Sequence, residues 1–184
     1  APYYGNVTVM MYNKQLLADA GYTPEEIDSF ADVQDIAQKT RAADPSKNGF
    51  LIRGGSADNI LSDFLPHLVG HGGWVVDENN YPTVDTPEFK AAMEDYLALY
   101  NVGGTLYKDD IVASVTSGET AMAQIWPGWY TPTADGPADY ITIPTKLTDD
   151  SEPLDAVALQ GVWCIGIPDN APHKELAVEL LEYV

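Results

Sequence analysis

Cysteine is nearly absent from this 184-residue chain, which contains Cys164 alone. A single cysteine excludes an internal disulfide, so the fold has to be held together by its apolar core. Cys164 lies in the apolar run VWCIGI, which is typical of a buried strand. We therefore expect a buried structural thiol there rather than a nucleophile.

Basic residues are also scarce, because 9 Lys and Arg face 28 Asp and Glu, for a net charge of −19. A surface of that charge repels phosphate backbones and anionic lipids, so we expect neither nucleic acid nor a membrane surface as a partner. Cation binding is the alternative. Residues 77–88, DENNYPTVDTPE, have the acidic spacing of a calcium loop, but Pro82 stands where the sharp turn needs glycine.

Long apolar runs and catalytic motifs are both missing. No run approaches the roughly 20 residues that cross a bilayer, and the first residues show neither a basic nor an apolar signal region. We expect that a signal peptide was removed or that the chain is an internal fragment. No GxSxG, P-loop or HExxH sequence occurs, so we expect no catalytic residue, cofactor or metal, including at His67, His71 and His173.

Strand and helix patterns alternate along the chain, which indicates a layered α/β domain. Apolar residues make up 45% of the chain, enough for the core of one domain. Helix starts are predicted at Thr23, Ser29, Thr86 and Asn170, each a capping residue. The remaining predicted elements are strands at 7–13, 50–54, 138–147 and 159–168, helices at 14–22, 56–73 and 110–116, and a strand-turn-strand at 74–84.

The stretch SGETAMAQIWPGWY, residues 117–130, combines a polar turn, a short apolar strand and a Pro-Gly turn. Two of the chain's four tryptophans, Trp126 and Trp129, flank that turn, and Tyr130 follows directly. Turns of this kind usually face water, so large aromatic rings there need a reason other than core packing.

Four segments in the same order resemble the extracellular solute-binding proteins of carbohydrate ABC transporters, family 1, the maltose-binding-protein-like family. They are MMYNKQLLADAGY, DTPEFKAAMEDYLALYNVG, VTSGETAMAQIWPGWY and PDNAPHKELAVELLEYV. The resemblance implies a three-layer α/β/α lobe of a two-lobed periplasmic-binding-protein-like (type II) fold. Residues 1–184 would form a single lobe, the C-terminal or second one of a larger protein.

The resemblance also implies a function. The protein would be the substrate-binding subunit of an ABC importer, binding a sugar or oligosaccharide between its lobes and delivering it to a membrane permease. It would be a monomer without enzymatic activity, located outside the cytoplasm in the periplasm or lipid-anchored on the cell surface.

Candidate ligand-binding residues follow from sugar chemistry, because a pyranose offers an apolar face to an aromatic ring and hydroxyls to polar groups. The resemblance implies a stacking role for Trp129, and we expect Tyr130, Trp126 and Trp163 nearby, although Trp126 also suits the core. Trp74 is expected in the core. The polar candidates are Ser56, Asp58, Asn59, Asp63, Asn6 and Tyr4. Helix capping is the alternative role for Ser56, Asp58 and Asn59.

Two other functions remain open from the sequence. A glycosidase would need two carboxyl groups about 5–10 Å apart across the sugar site. A binding protein of the same fold could instead take a polyamine, iron or phosphate. Iron would favour tyrosine or histidine clusters, such as the adjacent Tyr3 and Tyr4.

Overall fold

The structure is a computed structural model that describes residues 1–148, 150–154 and 158–183, with backbone only at 108 and 109. A five-stranded mixed sheet forms its centre. The strands are β1 Pro2–Val7, β2 Val9–Asn13, β3 Asn48–Arg53, β4 Thr105–Leu106, β5 Thr120–Ile125, β6 Ala138–Thr142 and β7 Gln160–Cys164. The helices are α1 Lys14–Asp19, α2 Phe30–Ala43, α3 Ala57–Gly70, α4 Pro87–Asn101, α5 Lys108–Thr116 and α6 Lys174–Tyr183. Short 3-10 turns occupy Pro24–Glu26 and Pro127–Trp129.

The strand order in the main sheet is β4-β3-β5-β2-β6. Strand β3 runs parallel to β4 and β5, whereas β2 runs antiparallel to both β5 and β6. Every residue of β2 and β5 is buried, because helices cover both faces of the sheet. This explains why these strands are continuous apolar runs rather than alternating ones.

Two apolar clusters lie on opposite faces of the sheet. Met10 faces the cluster formed with helices α1 to α4, and Met11 faces the cluster formed with α5. Successive residues of a strand point to opposite faces, so the two methionines divide between the two layers. The predicted three-layer α/β/α architecture is confirmed.

Local capping starts several helices. Ser29 Oγ accepts a hydrogen bond from the backbone N–H of Asp32, whose carboxylate accepts from the backbone N–H of Ser29 in return. Thr86 caps α4 through the backbone N–H of Phe89. The predicted helix starts at Ser29 and Thr86 are therefore confirmed, whereas the capping box at Thr23 begins a 3-10 turn.

Several boundaries differ from the sequence prediction, and the strands predicted over 138–147 and 159–168 end at Thr142 and Cys164. Thr8 interrupts the strand predicted over 7–13 and separates β1 from β2. The segment 74–84 has a single bridge, between Val76 and Pro82, instead of two strands. Helix α6 begins at Lys174 rather than directly after Asn170, because residues 170–173 form a turn that contains Pro172.

Two predictions of buried side chains are wrong. Strand β7 lies outside the main sheet and pairs antiparallel with β1 as a two-stranded ribbon, which leaves Cys164 exposed. Trp74 is 53% exposed in the 74–84 segment. An apolar strand pattern indicates which residues tend to avoid water. It does not indicate which part of the protein covers them.

Helix α6 has no buried residue in this structure, and its apolar side chains Leu176 and Leu180 are both exposed. The ribbon likewise exposes Tyr3, Val7 and Val162. None of the described helices has the length and apolarity needed to cross a membrane.

His67 is buried on α3, where its ring lies 4.5 Å from the ring of Phe30 and 5.5 Å from that of Tyr96, centroid to centroid. Burial lowers the pKa of His67 to about 4, and nearby Asp95 opposes that shift only in part. The imidazole is therefore neutral at pH 7.

We expect His67→Leu to flatten the pH dependence of stability. The unfolded chain takes up a proton on His67 below about pH 6.5, while the folded chain resists until about pH 4, so the free energy of unfolding falls as the pH drops across that range. Between pH 7 and pH 4.5, the difference in free energy of unfolding between wild type and variant should change by about 2 kcal/mol. Urea unfolding at pH 7 and pH 4.5 measures it, with exposed His173→Leu as control, and equal pH dependence in wild type and His67→Leu would contradict it.

Candidate functional site

A cleft of about 550 Å³ opens where β3 and β5 end. Because these two strands are parallel, their carboxyl ends meet at one edge of the sheet, where ligands of open α/β sheets commonly bind. Four segments line the cleft: strand β1, the first turns of α3, the turn after β5, and strand β7.

The turn after β5 provides two indole rings. All six residues of β5 are buried, so the strand end is fixed before the chain reaches Trp126. The backbone N–H of Trp129 donates to the carbonyl of Trp126 at 3.0 Å, and Pro127 fixes its own φ within that turn. Both tryptophans are half-buried and line the cleft. A rigid turn therefore presents two aromatic surfaces with little mobility.

The β1–β7 ribbon forms the opposite aromatic wall. Tyr4 and Trp163 are register partners, and their rings stack with centroids 6.1 Å apart and planes inclined by 12°. Asn6 lies on the same face of β1 as Tyr4, because side chains alternate along a strand. Trp163 is 62% exposed and is one of the residues that line the cleft.

Gly161 allows the two walls to meet. A Cβ at this position would lie 3.0 Å from the ring of Trp126 and 3.0 Å from Asn6 Oδ1. Both distances are shorter than ordinary van der Waals contact, so a side chain there would displace one of these residues.

Helix α3 supplies the polar groups of the cleft, which are Asp58, Asn59 and Ser62. A hydrogen bond with Ser56, the largest effect, lowers the pKa of Asp58 below its usual value. Among the described residues, Asp58 is the one carboxylate lining the cleft, and no group of three possible metal ligands occurs. The pair of carboxylates that a glycosidase requires is thus not found in the described lining.

Behind the tryptophans lies a buried ion pair between Arg53, the last residue of β3, and Asp63 on α3. Each side chain is 2% exposed. Asp63 accepts hydrogen bonds from the backbone N–H of Arg53 at 3.1 Å, from its Nε at 2.7 Å and from its Nη2. Burial raises the pKa of Asp63 to about 6, and the bonds from Arg53 oppose a further rise.

The structure brings seven of the ten candidate residues to this cleft. They are Tyr4, Asn6, Asp58, Asn59, Trp126, Trp129 and Trp163. Three candidates lie elsewhere. Tyr130 packs against the α5 face of the sheet and donates to the carbonyl of Ala138 at 3.3 Å, Asp63 is buried against Arg53, and Ser56 occupies the N-cap of α3.

Sequence reasoning missed several cleft residues. Ser62 lies three and four positions after Asn59 and Asp58, so helical spacing would have placed it on their face. Gly128 and Gly161 line the cleft through their lack of a side chain, which gives no chemical signal. Arg53, which lies behind the cleft, ends the otherwise uncharged strand β3, and a charge next to an apolar run indicates a buried partner.

The family comparison decides what kind of protein has this geometry. The model of the family described as bacterial extracellular solute-binding protein matches residues 1–184. The chain belongs to this family. The family is one of binding proteins rather than enzymes. The family description also places the protein outside the cytoplasm.

Solved structures show the same fold. The maltose-bound MalE3 protein of T. maritima is 22% identical, with a TM-score of 0.77 over 98% of this chain. An Agrobacterium vitis S4 solute-binding protein with bound D-mannitol is 19% identical, with a TM-score of 0.80 over 100% of this chain. UgpB from Mycobacterium tuberculosis, in complex with glycerophosphocholine, is 20% identical, with a TM-score of 0.75 over 100% of this chain.

The length of these relatives matters for the site. This chain covers 48% of the MalE3 chain and 46% of each of the other two. The solute-binding domain described here therefore spans about half the length of the structures it matches. At these identities the likeness establishes the fold.

We expect Gly161→Val to disturb the indole of Trp126. The added branched side chain would meet the Trp126 ring and Asn6 at less than contact distance, so the ring has to move out of its packed position. Tryptophan fluorescence and its quenching by acrylamide report the change, and stability should fall by about 1–3 kcal/mol. Gly128→Ala is the matched control, because no atom lies within 4 Å of its added Cβ. Identical spectra for Gly161→Val and wild type would contradict the close packing.

Proposed function

We propose that this chain is one lobe of the two-lobed substrate-binding subunit of an ABC importer, and that its cleft binds a sugar or oligosaccharide. One observation supports this most directly. Four aromatic side chains from two walls, Tyr4, Trp126, Trp129 and Trp163, line one cleft together with short polar side chains.

Carbohydrate recognition needs this combination of surfaces. The C–H face of a pyranose packs on an aromatic plane, while its hydroxyls both donate and accept hydrogen bonds. Asn6 and Asn59 provide donors and acceptors, and Asp58 provides a charged acceptor, whose bonds to hydroxyls are stronger than neutral ones. The aromatic rings sit on a rigid turn and a paired ribbon, so little entropy is lost when a ligand orders them.

The ribbon supports the two-lobe arrangement. Strands β1 and β7 pair antiparallel outside the main sheet, so two segments that are distant in sequence lie side by side where a neighbouring lobe could connect. Exposed apolar residues of the ribbon and of α6, including Tyr3, Val162 and Leu180, form surfaces that a soluble protein normally covers. Together with relatives about twice as long, this favours a second-lobe position with the cleft facing the other lobe.

Other ligands of the same fold fit the cleft less well. Among the described residues that line it there is no lysine or arginine, which phosphate recognition would require. Tyr3 does not line the cleft, and its ring packs edge-on against the ring of Tyr4 with centroids 5.7 Å apart, so the two tyrosines do not supply a pair of hydroxyl ligands for iron inside the cleft. Maltose and D-mannitol in two relatives support a neutral polyhydroxylated ligand.

The importer role adds a partner and a location. A subunit that closes on its ligand would deliver it to a membrane permease, and a monomer in the periplasm or lipid-anchored on the cell surface could do so. Closure would bring the far lobe over the exposed face of Trp163 and exclude water from the sugar hydroxyls.

In the two-lobed protein, Trp129→Ala should weaken binding of its saccharide by about 1–3 kcal/mol, because the substitution removes one stacking surface and its apolar area. Calorimetry with a panel of neutral saccharides, beginning with maltose and D-mannitol, measures the effect. Trp74→Ala is the control, since Trp74 is exposed outside the cleft. The stacking role fails if Trp129→Ala and Trp74→Ala bind equally well.

The isolated 184-residue chain should bind the same saccharide far more weakly than the two-lobed protein. Losing two or three hydrogen bonds and one aromatic face, at about 1 kcal/mol each, converts a micromolar dissociation constant to about millimolar. Calorimetry on both proteins makes the comparison. Micromolar binding by residues 1–184 alone would show that the cleft does not need a second lobe.

A further inference from the structure

We propose that Arg53 is the positioning residue of the cleft, fixing the indoles of Trp126 and Trp129 relative to helix α3. The proposal goes beyond the proposed function by naming what orients the aromatic wall, and it rests on that function only for its effect on ligand binding. Arg53 itself is buried behind the cleft and does not line it.

The guanidinium of Arg53 contacts two rings at once. Its central carbon lies 5.7 Å from the ring centroid of Trp126 and 5.5 Å from that of Trp129. Both distances fall within the roughly 6 Å range of cation–π attraction, which is stronger when the cation is removed from water. Because the guanidinium is planar and always charged, it keeps its charge while it packs against both indoles.

Asp63 fixes the orientation of that guanidinium. Its carboxylate accepts bonds from the Arg53 backbone N–H, Nε and Nη2, so both the strand end and the side chain are bound to α3. Nη1 has no hydrogen-bond partner among the described residues, which leaves that arm to pack rather than to bond. The same helix presents Asp58 and Asn59 to the cleft about one turn before Asp63, and Ser62 directly before it. Arg53 thereby links the polar wall of the cleft to its aromatic wall.

Stability alone does not account for this pair. Replacing a buried ion pair by apolar residues of similar size is often neutral or stabilising, because taking two charges out of water is costly. The positions Arg53 and Asp63 adjoin an apolar core that such residues could extend. The ion pair holds Trp126 and Trp129 in a fixed geometry, and an apolar pair would not hold them in this way.

The test uses a Trp74→Phe/Trp163→Phe background, in which Trp126 and Trp129 are the remaining tryptophans. Both replaced residues are mostly exposed. In this background, Arg53→Met/Asp63→Leu should keep its far-UV circular dichroism but lose most of the near-UV tryptophan band, and acrylamide quenching should rise about twofold as the rings gain mobility. Exposed Arg41→Met is the matched control and should change neither signal.

An unchanged near-UV band and unchanged quenching in the folded double variant would overturn the proposal. If that variant does not fold, Arg53→Lys decides instead, because it keeps the charge but lacks the planar fork. It should lose part of the band, and full retention would likewise overturn the proposal.

Binding by the two-lobed protein adds a second measurement, with maltose and D-mannitol as probes. Arg53→Met/Asp63→Leu should weaken binding by about tenfold with no loss of thermal stability, a pattern that a purely structural role would not give. Retained affinity would overturn the proposal. Loss of the optical signal in the variant, with no saccharide bound by the wild type, would support the positioning role and contradict the proposed function alone.

Discussion

The parallel pairing of β3 with β5 is the constraint on which the cleft depends. Phe50 is the register partner of Met122, so the two strands end side by side at one edge of the sheet. The start of α3 and the Trp126–Trp129 turn follow those two ends, and they become neighbours although about 70 residues separate Ala57 from Trp126 in sequence. Without that pairing, neither the polar wall nor the aromatic wall would have a fixed partner.

Opposite physical demands meet at this edge. The sheet interior is stabilised by apolar cover on both faces, whereas the cleft needs half-exposed rings and polar groups. The Arg53–Asp63 pair lies at the boundary, fully buried and yet charged. Such a pair contributes little to stability in comparison with apolar residues, but it has one favourable geometry, which makes it suited to orienting the tryptophans.

Unpartnered apolar surface is the other consequence of the architecture. The ribbon and α6 expose residues such as Val7 and Leu176, while the main sheet of the same lobe is well covered. A surface of this kind favours a neighbour within a larger solute-binding protein. The ribbon also places the stacked rings of Tyr4 and Trp163 in one wall of the cleft.

The sequence by itself determined the α/β class, the caps at Ser29 and Thr86, and the aromatic turn, because each depends on local periodicity or on neighbouring residues. Only the tertiary structure decided that Trp163 faces the cleft while Tyr130 packs against the sheet, and that Cys164 and Trp74 are exposed. Those outcomes depend on which distant part of the chain covers each side chain. The pattern of hydrophobic residues along the sequence is the same whichever part provides that cover, so it does not specify the outcome.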